Sequence, residues 1–401
     1  MKYVILIGDG MSDLPLKELD GKTPLQVSNK PNIDYLTKNG RSGFIQNVPE
    51  GYTPGSDVAN MSIFGYDPSK YYSGRGPLEA GSMGIETNDN QIIFRCNLIY
   101  ENNNKIEDFS ADHISSEEAK ILIEDLNKFF NNDKLKFYPG VGYRHLLVYD
   151  SINPEELSKL EMMPPHDIVD EDIDLYTNWS LEEAHEIKKI MLDSKNLLKD
   201  HPINKKRIEN GKKPANMIWL WGQGIKPSME NFKETYDIDG GIISGVDLLK
   251  GIGYYSGLKI INVPGATGYF DTDYKAKGEY AINNLKDLDL LIIHVESPDE
   301  AGHEGNIEEK IKAIENIDKY VLGRILEEIG ELDDYKIAIL PDHPTPIDLK
   351  THTSDEVPIA IYSSLEENID DVEKYDEESV KKGSLSHMIG HNLIKFLIDE
   401  K

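Results

Sequence analysis

Six oxygen and imidazole donors stand where apolar runs meet polar turns. The run Tyr3–Gly8 leads directly to Asp9, and Asp289–Val295 is followed by Asp299 and, four residues on, His303. Tyr335–Leu340 precedes the adjacent pair Asp342 and His343, and His352 stands before a further run, Val357–Tyr362. Open α/β sheets gather ligands beyond the carboxyl ends of their strands, so donors at several strand ends converge. Carboxylates mixed with imidazoles suit Mn²⁺ or Zn²⁺ better than Ca²⁺, and the set suffices for one or two such ions. Each donor alone has a blander reading: Asp9 as a turn residue, Asp342–His343 as an exposed loop. The recurrence at successive strand ends makes a metal site the expectation.

A second signal is Thr53-Pro-Gly-Ser-Asp-Val-Ala-Asn60. Ser56 here is either an ordinary helix N-cap or a nucleophile at a helix N-terminus, where backbone N–H groups favour a phosphate. No G-x-S-x-G elbow surrounds it, so an α/β-hydrolase is excluded, and ligation to a metal is the remaining way to activate the hydroxyl. The other histidines have plain readings. His294 lies inside a strand and reads as a satisfied core residue. His166, His185 and His201 read as solvated, and His387 and His391 as i, i+4 neighbours on a helix. Arginine is scarce at six residues, Arg41, Arg75, Arg95, Arg144, Arg207 and Arg324, and each could fix a planar anion better than lysine.

The elements that position these groups follow from periodicity. The short β-branched runs read as parallel strands buried on both faces. Between two of them, Ile311, Ile314, Ile317, Val321, Ile325 and Ile329 mark one face of a helix over 308–330, giving a βαβ unit. The middle of the chain differs. Acidic helices are expected at Ser115–Phe130 and Ser180–Asp200, strands at Gln91–Tyr100 and Tyr143–Tyr149, and a hairpin tip at Asn102–Asn104. The fold class expected is therefore α/β, a mainly parallel sheet flanked by helices, with an inserted smaller α+β domain. The boundaries read as 1–71 plus 213–401 for the first and 72–212 for the insertion, with crossings near Gly74-Arg-Gly-Pro and Gly211-Lys-Lys-Pro.

Composition narrows the partners. The 401 residues carry a net charge of −29, which opposes nucleic acid and anionic membrane surfaces. One cysteine, Cys96, excludes an internal disulfide framework and fits a reducing compartment. The N-terminal apolar run is too short for a signal peptide, and no run is long enough to span a bilayer, so a cytoplasmic protein is expected. Nothing in the pattern specifies an interface, and homo-oligomerisation stays open.

The ordered set of Asp9, Ser56 in Gly-Ser-Asp-Val-Ala-Asn-Met-Ser, Pro-Asp299 with His303, Asp342-His343 and Thr-His352-Thr resembles the alkaline phosphatase superfamily. Ile5-Leu-Ile-Gly-Asp-Gly-Met-Ser-Asp, Phe109-Ser-Ala-Asp-His-Ile and Gly265-Ala-Thr-Gly-Tyr-Phe-Asp-Thr-Asp-Tyr narrow the resemblance to the archaeal-type branch of the 2,3-bisphosphoglycerate-independent phosphoglycerate mutases. The resemblance covers nearly the whole chain. Two departures, Gly55-Ser56-Asp57 and Asp342-His343-Pro344 where the longer bacterial-type members have Asn-Ser-Glu and Asp-His-Gly, fit that branch. It implies a metal-activated phosphoserine route between 3-phosphoglycerate and 2-phosphoglycerate, without 2,3-bisphosphoglycerate. One cation would sit on Asp299, His303 and His352, the other on Asp9, Asp342, His343 and the Ser56 oxygen. Mn²⁺ is the first candidate, with Zn²⁺, Co²⁺ and Mg²⁺ as others. It also implies substrate contacts from His113, Arg144 and Lys213 in or beside the insertion. Arg75 and Arg95 join them on scarcity and location alone. A phosphomonoesterase or phosphopentomutase of the same superfamily would share every metal ligand, and a non-catalytic acidic metal-binding protein is the reading from another class.

Overall fold

The computed structural model describes residues 1–365 and 368–399. Among the described residues thirteen strands run in chain order: β1 (Lys2–Gly8), β2 (Arg41–Gln46), β3 (Gln91–Asn102), β4 (Lys105–Asp108), β5 (Leu135–Val141), β6 (Arg144–Asp150), β7 (Met217–Ile225), β8 (Gly240–Ile243), β9 (Lys259–Ile260), β10 (Leu290–Val295), β11 (Tyr335–Leu340), β12 (Val357–Ser363) and β13 (His387–Ile389). The chain divides into two compact units, Met1–Tyr72 with Ser228–Lys401, and Ser73–Pro227.

The first unit holds an eight-stranded sheet in the order β13-β2-β12-β11-β1-β10-β8-β9. β1 lies parallel between β10 and β11, in register Tyr3↔Leu290 and Tyr3↔Lys336. Val4 to Ile7 and Leu290 to Ile293 are fully buried, as strands covered by helices on both faces must be. On the far side of β11, β12 instead pairs antiparallel with both β11 and β2. The helical connection from β10 to β11 is not one regular helix. It runs as Ile307–Asn316, a π-helical stretch Ile317–Leu322, and Gly323–Leu332. Asp318 in the π stretch turns inward and accepts from Ile33 N (2.7 Å) and Asn32 Nδ2 (3.0 Å), tying this rod to the helix Pro31–Lys38.

The second unit is a five-stranded sheet, β4-β3-β6-β5 with β7 also on β3. Its helix Ser116–Phe130 starts where Ser115 Oγ accepts from Glu118 N (3.2 Å). Asn103 and Asn104 turn the β3–β4 hairpin with positive φ, which asparagine tolerates better than most residues. The expected boundary at 212/213 does not match the split at 227/228. β7 pairs antiparallel with β3 from Ile92↔Ile225 to Ile99↔Met217, so the Met217–Ile225 strand belongs to the insertion's sheet rather than to the parallel one. His387 and His391 are also not helical neighbours. His387 opens the edge strand β13 and bonds Glu356, while His391 sits in a short 3₁₀ turn. Among the described residues no helix is long and apolar enough to cross a membrane.

Candidate metal centre and nucleophile

Asp9 follows the last residue of β1, and Asp342 and His343 stand just beyond β11. Asp299 and His303 occupy the first and last turns of the helix Ser297–Glu304 after β10, one turn apart on the same face. The parallel order β11-β1-β10 is what brings these strand ends side by side. His352 joins from the loop before β12. His343 Nε2 is 3.6 Å from Asp9 Oδ1 and 3.5 Å from Asp342 Oδ2. Asp299 reaches His303 Nε2 at 3.2 Å and His352 Nε2 at 3.4 Å.

Ser56 is the first residue of the helix Ser56–Ile63. Gly55 takes the N-cap position, so the serine hydroxyl has no capping duty. Its Oγ is instead 3.3 Å from both Asp9 Oδ2 and His343 Nε2. One turn along, Asn60 Nδ2 donates to Ser56 O and to Asp342 Oδ2, each at 2.8 Å, locking the helix start onto the β11 end.

The imidazoles are oriented from behind. His303 Nδ1 faces Lys350 O (3.1 Å) and His352 Nδ1 faces Pro54 O (3.3 Å). A carbonyl only accepts, so each Nδ1 carries a proton, and in a neutral ring each Nε2 presents a lone pair. Thr345 Oγ1 donates to Asp299 Oδ1 and lies 3.3 Å from His343 Nδ1, which fixes the same tautomer there. His303 and His352 thus point two lone pairs at each other across 2.9 Å. Such an arrangement is repulsive unless a cation or a proton lies between them. Asp9 Oδ1 is fully buried without a hydrogen-bond partner, a second cost that a cation removes. Asp299, His343 and His352 offer ligand atoms within one coordination sphere, as do Asp9, Asp342 and His343. The residues present fit divalent cations.

The electrostatics carry the same signature. Burial, then the charges of Asp342, Glu296 and Asp299, push the Asp9 carboxyl well above its usual value. Burial would also raise Asp299, but hydrogen bonds from His303 and His352 outweigh it and hold the carboxyl well below the usual range. The Asp299 hydrogen bond lifts His303 to about 9.

Two residues were not expected beside Asp9. His294 is the buried, hydrogen-bonded core residue expected, and its partner is Asp9: Nε2 lies 2.8 Å from Asp9 Oδ2 and 3.5 Å from Glu296 Oε2, and the three form a further donor group. Burial drives His294 down to about 3 and Glu296 up to about 8. The clue available in the sequence was spacing: His294 lies inside the β10 run and Glu296, two residues on, directly follows it, beside the β1 end that carries Asp9. Lys277 is buried beneath them and donates to His294 O (2.9 Å).

The five residues expected to contact substrate all lie in the second unit. His113 is exposed at the end of a turn in which Ala111, Asp112 and His113 have φ of 48°, 54° and 47°. Three successive non-glycine residues in the left-handed region cost about 1–2 kcal/mol each. Lys213 Nζ lies 3.6 Å from Asp108 and 3.7 Å from Glu107. Arg144 opens β6 over the Tyr143 ring, at 5.9 Å. Arg95 is buried, pairs with Glu79 (3.0 Å) and stacks 4.3 Å over Trp221. Burial lowers its value; Glu79 opposes that shift, and the like charges of Arg75 and Arg144 add to it. Arg75 is the first residue of the helix Arg75–Ser82. His166 is exposed as expected, and its ring packs edge-on against Trp221 (5.5 Å) and Phe109 (5.9 Å). His201, expected to be solvated, is buried: it caps the helix Pro202–Glu209 and bonds Asp125.

The sequence pattern described as 2,3-bisphosphoglycerate-independent phosphoglycerate mutase matches residues 37–204. A protein so named from Methanothermobacter thermautotrophicus is 52% identical over 399 residues, covering 100% of this chain and 98% of the relative. One from Methanosarcina acetivorans is 50% identical over 399 residues, covering 99% and 100%. Among solved structures, a protein from Pyrococcus horikoshii superposes with a TM-score of 0.83 at 29% identity, covering 99% of this chain and 96% of that one. The cofactor-independent phosphoglycerate mutase of Thermoplasma acidophilum does so at 0.68 and 26%, covering 100% and 99%. The chain belongs to the family of 2,3-bisphosphoglycerate-independent phosphoglycerate mutases, which are isomerases.

Proposed function

We propose that the protein interconverts 3-phosphoglycerate and 2-phosphoglycerate through a phosphoserine on Ser56, with two divalent cations, Mn²⁺ first among them, at the Asp9–His352 cluster. The observation that carries this reading is the Ser56 hydroxyl, free of capping and 3.3 Å from both Asp9 and His343. Bound cations would lower the pKa of that hydroxyl and neutralise charge on the transferring phosphoryl group.

The chain's own groups do the rest. The helix N-terminus at Ser56 turns N–H groups toward the phosphoryl oxygens. Ser56 Oγ forms the new bond to phosphorus as the bond to the substrate oxygen breaks, and that oxygen is protonated. Glycerate stays bound and reorients, and its other hydroxyl loses a proton and takes the phosphoryl group back. Retention of glycerate falls in this reading to the inserted unit, through His113, Arg144 and Lys213 with Arg75 and Arg95. Without such retention, water would intercept the phosphoserine and the enzyme would be a phosphatase.

Purified protein with Mn²⁺ should equilibrate the two phosphoglycerates without added 2,3-bisphosphoglycerate and stop when a chelator is added. Free phosphate as the main product would overturn the mutase assignment. Ser56→Ala should abolish turnover while still binding Mn²⁺; a variant with near-normal rates would exclude the covalent route.

A further inference from the structure

Arg207 lies on the helix Pro202–Glu209 with its side chain 1% exposed. Its guanidinium uses all three nitrogens. Nη2 donates to Ala111 O (2.5 Å), Nε to Lys213 O (3.0 Å) and Nη1 to Glu118 Oε2 (2.6 Å). Ala111 opens the left-handed turn that ends in His113, a conformation L-residues hold only when their surroundings over-determine it. The other side of that turn is held by Asp108, whose carboxylate accepts from Ser110 N (2.8 Å), Ser110 Oγ (2.7 Å) and Asp112 N (3.2 Å). Lys213 is tied to the same helix a second time, through Lys212 N donating to Arg207 O (2.9 Å).

We propose that Arg207 is a positioning residue for phosphoryl transfer: one rigid guanidinium fork holds the His113 turn and the Lys213 backbone at a fixed separation. The proposal rests on the reading in which His113 and Lys213 contact substrate. It explains why a scarce arginine is buried where it touches neither solvent nor the cluster at Ser56. A lysine at this position carries the charge but not the fork, and cannot serve three acceptors set at these angles. Displacing a substrate-holding group by about 1 Å costs on the order of 10²-fold in rate.

The test uses the full chain loaded with Mn²⁺, at a temperature where circular dichroism shows every variant folded. Arg207→Lys and Arg207→Gln should each lower kcat by on the order of 10²-fold, with Mn²⁺ affinity by equilibrium dialysis unchanged. Glu118→Gln breaks only the ion pair and should keep kcat within about threefold of wild type. The deciding readout is the cycle with His113→Ala. If Arg207 acts through the His113 turn as well as through Lys213, Arg207→Lys/His113→Ala should lose clearly less than the product of the two single losses, whereas a merely structural residue would multiply them. Multiplied losses, an unchanged kcat in both Arg207 variants, or a Glu118→Gln loss as large as theirs would each overturn the role of Arg207. A neutral His113→Ala would instead overturn the substrate-contact reading beneath it.

Discussion

Lys310→Met should destabilise the first unit and loosen its cation site together. The Lys310 side chain is fully buried, and its ammonium donates to Asp13 Oδ2 (2.7 Å), Thr345 O (2.8 Å) and Ser12 O (3.3 Å). It therefore bolts the segment after Asp9 to the segment after His343. Methionine keeps the apolar stem and removes the charge. Asp13 then retains only backbone donors, Leu14 N at 2.8 Å and Ile347 N at 3.2 Å, for a carboxylate that is 0% exposed. Breaking a buried pair by removing one partner costs about 3–5 kcal/mol, a large share of the roughly 5–15 kcal/mol that holds a domain folded. Lys310→Met/Asp13→Asn keeps an oxygen that accepts from both backbone donors but removes the stranded charge, and should recover about 2 kcal/mol of that loss. Far-UV circular dichroism in urea is the appropriate probe. The three tryptophans, Trp179, Trp219 and Trp221, all lie in the second unit and would report that unit instead. At a temperature where the single variant is folded, calorimetric titration should show weaker Mn²⁺ binding, because Thr345 orients both Asp299 and His343. A cost under about 1 kcal/mol, or a double variant no better than the single, would refute the reasoning.

Other outcomes follow from single contacts. Gly10 has φ +61°, and a Cβ there would lie 2.5 Å from Thr345 Oγ1 and 2.7 Å from Asp299 Oδ1, so Gly10→Ala should lower Mn²⁺ affinity and turnover by at least about tenfold; unchanged calorimetric binding would contradict the packing. Asp299→Asn should reduce bound Mn²⁺ from about two ions per chain to about one by elemental analysis, and full retention would show that Asp299 is not a ligand. His145 is buried, and burial followed by Arg144 lowers it from 6.5 to about 3. Between those values the unfolded chain binds a proton that the folded chain does not, so stability falls as pH drops below about 6.5, by about 1.4 kcal/mol per pH unit. His145→Phe should remove that share of the slope in tryptophan-monitored urea unfolding between pH 4 and 6; identical slopes would exclude a neutral buried His145.

The donors were legible one strand at a time. Asp9, Asp299, His303, Asp342, His343 and His352 could be picked out because a buried parallel strand must be an unbroken apolar run, and the first polar group beyond it is conspicuous. His294 was legible as a buried, hydrogen-bonded core histidine, but not as a neighbour of Asp9. Inside such a run a histidine looks like filler, and only the pairing Ile7↔His294 puts its ring beside Asp9. The boundary at 213 put the strand Met217–Ile225 on the wrong side, because an apolar strand carries no label for its partner. His387 and His391 kept a helical spacing by coincidence, within a segment that parallel pairing with β2 draws out into an edge strand.

Local sequence determined the strand ends, the helix start at Ser56, the cap at Ser115 and the hairpin at Asn103–Asn104, since these depend on backbone propensities and side chains within a few residues. Tertiary structure alone decided which strands adjoin, and so which carboxylates repel and which lone pairs face each other. It also decided the tautomers of His303, His343 and His352, through contacts with Lys350, Thr345 and Pro54, and gave Arg207 its three acceptors. Charge and hydrogen-bond direction act through space at a few ångströms, and for groups as far apart in the chain as His352 and Pro54 that distance is fixed only when the sheet closes.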